Sequence, residues 1–358
     1  MSPWPYLFMY TLPLAWALGT WLGGPWSFLV LAYAFGLVPL LEPLFGHDRA
    51  DPEPDPGRRP LYEAILRGWL PVELAVLGAA LWTATHVALT PLEWAGLVAS
   101  TGTVVAGGGF TVAHELMHRR GKAERALAEV LMALASYTHF CVEHVHGHHK
   151  HVATPLDPAS ARRGEWVYAF LPRTILGGLA SAWRIESRRV AKRGVRGLAD
   201  RRLRYPLGIA ALWLAVGLGF GLPGLALFLA QGAFAVLLLE TINYVEHYGL
   251  ARPELAPGRY GRARPEHSWN ATHRLTNAML INLQRHADHH AYAHRSYPEL
   301  RAWPDAPTLP CGYPTMVLAA LVPPLWFAVM NPRVDAAARA GGAAVSVGVV
   351  IGPVAPSA

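Results

Sequence analysis

Charge is scarce in this sequence and sulfur almost absent. Asp, Glu, Lys and Arg make up 15% of the 358 residues, where a soluble domain carries about a quarter. Cys141 and Cys311 are the only cysteines, which excludes a disulfide framework, a CxxC pair and an iron–sulfur site. Strand signals are sparse, no internal repeat is visible, and no nucleic-acid recognition motif accompanies the net charge of +7. A nearly all-helical chain is expected.

The apolar residues, 53% of the total, gather into runs of about 20 residues, the length a helix needs to cross a bilayer. Six are read as membrane helices: 5–23, 26–45, 69–89, 92–113, 205–221 and 224–244. The first lacks a basic leader and a small-residue cleavage site, so it is expected to be an anchor. The runs pair through short links (GGP near 24, TP near 90, LPG near 223), as helical hairpins. These links carry no Lys or Arg. Segments 46–68, 114–204 and 246–358 carry four, seventeen and ten, which is every one of the 31 basic residues. Basic residues stay on the cytoplasmic side, so all long segments and both termini are expected there, in a multi-pass membrane protein. The basic face suits anionic lipid or an acidic partner.

Residues 1–332 are expected to form one membrane-embedded domain with cytoplasmic segments 114–204 and 246–332. The loop DRADPEPDPGRRP (48–60) should be irregular. Residues 173–197 alternate apolar and basic positions at helical spacing, and Leu176, Leu179 and Trp183 mark a helix lying on the membrane surface. The run 313–330 is broken by Pro323 and Pro324, which suggests an interfacial or re-entrant piece. The Ala/Gly/Val-rich tail 333–358 is expected to be weakly ordered.

The stretch EHVHGHHKH (143–151) turns this organisation into chemistry. His114 and His118 in HELMH end the fourth apolar run. Their i, i+4 spacing places them on one helical face. His144 and His148 repeat that spacing. His149 is displaced from His144 by roughly 140° around an ideal helix, toward a second metal. His286, His289 and His290 in QRHADHH share one face at i, i+3, i+4. His247 in NYVEHYG ends the sixth run. All arrive at one depth, just inside the cytoplasmic boundary. Neutral imidazole is a ligand at pH 7. Nine nitrogens exceed one metal and suit two. Imidazole fits Fe, Zn, Cu or Ni, and a nitrogen-rich pair with open positions at a membrane surface favours iron and oxygen chemistry.

Other readings of these residues are weaker. HExxH also matches a zinc protease with Glu115 as general base, but that site needs one further ligand, not seven. A metal transporter wants ionisable groups inside the spans, where Glu73, His86 and Glu240 are the candidates. His139, His146, His151, His267 and His273 read as supporting or solvated residues, and His47 and His294 carry no assignment. Glu143, Glu246 and Asp288 neighbour ligand histidines in sequence and can orient them. Asp157 reads as a turn or supporting residue.

HELMH, EHVHGHHKHVATPLDPASAR, NYVEHYGL, HSWN and LQRHADHH together closely resemble the integral-membrane alkane 1-monooxygenases (alkane ω-hydroxylases), from about residue 39 to 323. NYVEHYG separates that group from the membrane desaturases, which share the looser His pattern. The resemblance implies a six-helix, desaturase/hydroxylase-like membrane fold under a cytoplasmic His-rich cap. It implies a non-haem di-iron centre of two Fe ions. Its ligands are His114, His118, His144, His148, His149, His247, His286, His289 and His290. It further implies O2-dependent terminal hydroxylation of medium- or long-chain n-alkanes taken from lipid. Electrons come from rubredoxin, reduced by an NAD(P)H-dependent rubredoxin reductase. Glu42 stands where Asp is common and His294 where Thr or Arg is more usual. Two cysteines exclude a fused rubredoxin, which needs four. Related xylene monooxygenases and epoxidases are the neighbouring alternative. The substrate channel is expected between helices two, three, four and six, with small Ala34 and Gly36 on its wall.

Overall fold

The computed structural model describes residues 2–340 and 344–345. It is helical throughout its bulk. A 3-10 segment, Trp4–Tyr10, runs into Thr11–Leu22 to form α1. α2 (Gly24–Phe45), α3 (Pro56–His86), α4 (Pro91–Met117) and α8 (Arg201–His247) are the described helices long and apolar enough to cross a membrane. Between α4 and α8 lie α5 (Lys122–Ala133), the short helical stretch α6 (140–151) and α7 (Val167–Arg193). After α8 come α9 (Arg274–Met279), α10 (His286–Ala291), α11 (Tyr313–Ala320) and α12 (Pro323–Arg339). Among the described residues, strand is confined to two small antiparallel pairs, Leu250–Ala251 with Ala344–Val345 and Glu254–Ala256 with Arg259–Tyr260.

α8 is not one rod. Gly221 breaks it with φ 62° and ψ −168°, nearly the conformation of Gly23 between α1 and α2. An unbroken helix would hold Trp213 and Gln231 about 27 Å apart at 1.5 Å per residue. Trp213 instead donates to Ser136 Oγ at 2.9 Å, and Gln231 donates to the Leu134 carbonyl at 2.9 Å. The limbs 201–220 and 222–247 therefore fold back on each other, and Leu222-Pro223 form the link the sequence predicts.

The three basic-free links lie together. Glu93, which closes a capping box with Thr90 at the start of α4, also accepts from Gly24 N at 2.7 Å. Gly224, beside the α8 link, packs on Thr85 near the end of α3. Small residues let the helices approach closely, as in membrane bundles: Gly96 against Ser27, Gly102 against the Gln231 carbonyl, Gly232 against the Ala135 backbone.

Three π-helical turns interrupt the regular winding: Ala32–Leu37 in α2, Val105–Phe110 in α4 and His144–His148 in α6. Such i→i+5 turns are rare and concentrate at functional sites. The α4 turn, VAGGGF, carries glycines where α3 presses closest. A β-carbon on Gly108 would overlap the Trp69 ring, and one on Gly109 would overlap the Glu73 carboxyl. Trp69 is fully buried and donates to Glu73 at 2.6 Å, so neither side chain has room to retreat. Gly108→Ala is expected to destabilise the protein by about 1–3 kcal/mol, the usual cost of overpacking. A thermal melt in detergent against wild type checks this, and an unchanged midpoint would mean that α3 yields.

α7 begins six residues before the predicted surface helix and exposes Leu176, Leu179 and Trp183 on one face. α11 and α12 meet at 120°, so the 313–330 run is bent where the prolines predict. The expected loose tail from 333 needs correction: α12 continues to Arg339, with Val334 buried and Asp335 paired to Arg163 at 2.9 Å. Apart from the 344–345 strand, the rest of that tail lies outside the described residues.

Candidate metal centre

The nine sequence-selected histidines converge into two adjoining groups. His114, His118, His144, His149 and His289 place one ring nitrogen each within 4.8 Å of one another, and His148, His247, His286 and His290 do the same. In the first group Nε2 of His149 lies 3.1 Å from that of His144 and 2.9 Å from that of His289. In the second, Nε2 of His286 lies 3.1 Å from that of His247 and 2.9 Å from that of His290. The groups touch through the stacked rings of His149 and His290, 4.4 Å apart.

Local structure explains the partition. α4 carries His114 and His118 on one face. The second limb of α8 ends at His247. In α6 the π turn changes the neighbours: an i→i+5 ladder sets His149 beside His144 and turns His148 to the other group. The expected pairing of His144 with His148 is thereby corrected. α10 is shared, with His286 and His290 (i, i+4) facing the second group and His289 the first, so these three do not serve one face as expected. α10 follows a tight turn at Ile281 and Asn282, whose φ values are 40° and 62°. Positive φ at a β-branched residue is strained. Asn282 holds the turn by donating to Tyr6 Oη at 2.7 Å and to the Tyr297 carbonyl at 2.9 Å.

The donor set fits a metal. Nε2 of His114, His118 and His148 are buried without a hydrogen-bond partner among the described residues. Facing lone pairs in a buried space cost roughly 1–3 kcal/mol per unsatisfied group, and a cation removes that cost. Ligand nitrogens about 2.1 Å from an ion stand about as close together as these do. Burial first, and then the neighbouring imidazoles, hold His144, His149, His286, His289 and His290 well below the usual histidine range, in the neutral ligating form. His148 differs. Burial lowers it, but the Asp157 carboxylate and its hydrogen bond more than offset this, so it is raised.

The Asp157 contact was the one the sequence least advertised. Asp157 Oδ2 lies 2.8 Å from His148 Nδ1 and accepts from Ser160 Oγ at 2.6 Å; Oδ1 accepts from Ala159 N at 3.1 Å. This fixes the His148 ring with Nε2 toward the second group. Ser268 Oγ approaches His247 Nδ1 at 3.5 Å. Glu246 Oε2 stands 3.2 Å from His286 Nε2, on the metal side of the ring, so it is placed beside the second group's nitrogens and not behind them. Asp288 does not orient a histidine. Its carboxylate accepts from Arg295, Trp303 Nε1 and Arg301 N. Glu143 packs on Gly147 and Gly178 and makes no described hydrogen bond to a histidine of either group.

The remaining candidates lie outside both groups. Glu115 is held by Arg119 at 2.6 Å, which removes the free base a zinc protease needs. Glu240 accepts from Tyr137, Thr174 and Asn243, and Glu73 from Trp69. His86 is exposed at the end of α3, stacked on Trp82. His47 and His273 pack against each other with ring centres 4.5 Å apart and planes tilted by 51°. Glu42, noted as a departure, accepts from Thr276 and from Gly312 N, clipping the end of α2 to α9 and α11.

An apolar cavity of about 40 Å³ lies among the helices above the second group. Its walls come from α1 (Leu12), α2 (Ala34, Phe35), α4 (Thr103, Gly107), α8 (Leu238, Ile242), α9 and α11. Helix three, expected as a wall, contributes none of these residues, and α1 takes its place. Gly36 is not among the residues that line it. Tyr313 forms part of the lining, and its hydroxyl stands beside the Glu246 carboxylate.

Comparison with known proteins follows the same lines. A family model described as Fatty acid desaturase matches residues 89–317. Alkane 1-monooxygenase 2 of Pseudomonas aeruginosa is 43% identical over 331 residues, 90% of this chain and 87% of its own length. Alkane 1-monooxygenase 2 of Alcanivorax borkumensis is 39% identical over 87% of this chain and 83% of its own. The xylene/toluene monooxygenase hydroxylase component of Pseudomonas putida is 30% identical over 67% of this chain and 64% of its own.

Proposed function

We propose, for a chain that belongs to the alkane 1-monooxygenases of the fatty acid desaturase family, that it hydroxylates the terminal methyl of medium- or long-chain n-alkanes. The balance is R–CH3 + O2 + 2 e⁻ + 2 H⁺ → R–CH2OH + H2O. The observation that carries this reading is the convergence of nine imidazoles into groups of five and four beside an apolar cavity. Two irons are the proposed occupants, held by His114, His118, His144, His149 and His289, and by His148, His247, His286 and His290, with Glu246 within reach of the second. Bound there, they supply dioxygen activation. Residues 1–332 act as one catalytic domain in a bacterial inner membrane, with the histidine end toward the cytoplasm and rubredoxin as electron donor.

The chain's own residues do the rest. An n-alkane has no polar handle, so only shape can orient it. The walls of Leu12, Ala34, Phe35, Leu238 and Ile242 exclude water and leave room for a chain end pointed at the histidines. The cavity is about the size of one or two waters, so side chains must part as hydrocarbon enters. Asp157 fixes the His148 tautomer, and Glu42 ties α2, with Ala34, to α9 and α11, which share the cavity wall.

Ala34→Trp should shorten the cavity from the lipid side and shift preference to shorter alkanes. Each methylene that no longer fits forfeits about 0.8 kcal/mol, roughly fourfold in kcat/KM. Competition between alkanes of different length, read by gas chromatography, checks this; an unchanged preference would take Ala34 off the path. The activity itself is tested with purified protein, rubredoxin, its reductase and a panel of n-alkanes and methylarenes. Primary alkanols as the main products support the proposal. Benzylic alcohols would move the chain to the xylene-type reading, and no oxygenated product would refute both.

A further inference from the structure

Separate from the cavity that Ala34 lines, a second and larger pocket, open on one side, lies at the basic end of the molecule. It measures about 250 Å³ and lies between α6, α7 and the first turns of α8. Its walls are mostly apolar, with Val142, Leu179, Trp183 and Ile209 among them, and Glu186 also lines it beside the arginines. Its mouth carries Arg201 and Arg202, and His139 lines it with an Nε2 that is buried and has no hydrogen-bond partner among the described residues. Leu179 and Trp183 also belong to the exposed face of α7, so the slot opens where that helix lies on the membrane.

The charge around the mouth is one-sided. Arg201 and Arg202 pair with Glu186, Glu129 and Asp200, but these acids do not balance the segment. Residues 184–204 hold nine Lys and Arg against Glu186 and Asp200, an excess of seven that equals the net charge of the whole chain. An apolar slot, an unsatisfied imidazole nitrogen and a cationic rim at headgroup level ask for three things in one ligand. These are a hydrocarbon segment, an oxygen near its polar end, and a negative charge. A free alkane offers only the first.

We propose that this slot binds one anionic phospholipid, with part of an acyl chain between α7 and α8, the glycerol ester region near His139 and the phosphate at Arg201 and Arg202. The rest of the lipid lies along Leu176 and Trp183. Such a lipid fastens the surface helix α7 to the first limb of α8.

The test is native mass spectrometry of the full-length protein in neutral detergent, titrated with dioleoyl phosphatidylglycerol or dioleoyl phosphatidylcholine. One phosphatidylglycerol should be retained per chain, at least about tenfold more tightly than phosphatidylcholine. The double variant Arg201→Gln/Arg202→Gln should weaken it about thirtyfold, since each such charge near an anionic surface contributes roughly a fivefold factor. Ala182→Phe, which fills the slot, should abolish the single retained lipid yet leave salt-sensitive attraction to phosphatidylglycerol vesicles. Ile209→Trp serves the same purpose if Ala182→Phe does not fold. The proposal is overturned by any of three results: retention without a one-per-chain plateau, retention unchanged by either slot-filling variant, or competition by glycerol phosphate as strong as by the lipid. A charge variant that holds lipid normally but slows rubredoxin-dependent reduction would also overturn it, assigning the patch to protein docking.

Discussion

His144→Ala/His149→Ala should keep about one metal per chain, from about two in the wild type, and adding His148→Ala should take that last metal too. The double variant removes two ligands from the group of five and leaves His148, His247, His286 and His290 whole. The third substitution cuts that set to three imidazoles. A regular helix would instead set His144 and His149 in different groups, because i, i+4 residues share a face and i, i+5 residues do not, and the double variant would then strike both sites. Metal analysis of the purified double and triple variants therefore reads the π turn directly. Turnover should fall by more than about a hundredfold in every single ligand variant, beyond the cost of losing a supporting partner. Loss of both metals from the double variant, or no further loss in the triple variant, would dissolve the partition. Retention of both metals would remove these histidines from the ligand set.

The ligand types and their depth were legible in the sequence; their assignment to groups was not. A bilayer fixes the length of an apolar helix, so the ends of α4 and α8, and the histidines at them, could be placed by counting. The sequence HVHGH gives no periodic cue that five residues, not four, close the turn. Gly147 is the one hint, since a β-carbon there would overlap the Glu143 carboxyl. Asp288 and Gly36 failed for one common reason. Each sits two residues from a correctly placed neighbour, His286 or Ala34, and two residues along a helix is about 200° around it. Closeness in sequence was mistaken for a shared direction. Asp157 was underweighted for the opposite reason: nine residues of chain separate it from His148, and only the fold of the 152–160 loop brings them to 2.8 Å. The bend at 321–322 was legible from its prolines, whereas the docking of α12 depends on the distant pair Arg163 and Asp335.

Removing that Asp157 carboxylate should make the second metal bind more weakly at neutral pH yet resist acid better. Asp157→Ala leaves His148 Nδ1 without its acceptor, and loss of such a partner weakens metal binding about 10–100-fold. Protons act through the same contact. In the metal-free protein the raised His148 contributes stability that is complete below its unfolded value of about 6.5 and vanishes as pH rises through its higher folded value. Asp157 is shifted the other way. Burial raises it, but His148 and Ser160 more than offset this, so it is lowered. Its contribution is present above about 3.9 and is lost as pH falls through the folded value. Their charged pair thus favours a proton on His148 at mildly acidic pH, and that proton occupies the nitrogen a metal needs. The other histidines of both groups outside the spanning helices are lowered and stay neutral further into acid. On acidification the second group should empty first, through His148, and the first group later. Without the Asp157 carboxylate, burial lowers His148 against only the lesser pull of Glu143 and Glu240, so the second metal's release should move to lower pH although its affinity at pH 7 has dropped. Equilibrium dialysis of metal across pH 4 to 8, for wild type and Asp157→Ala, should show the two release curves crossing. A parallel offset would mean that Asp157 supports affinity without setting the protonation of His148. Simultaneous release of both metals in the wild type would show that the two groups titrate as one.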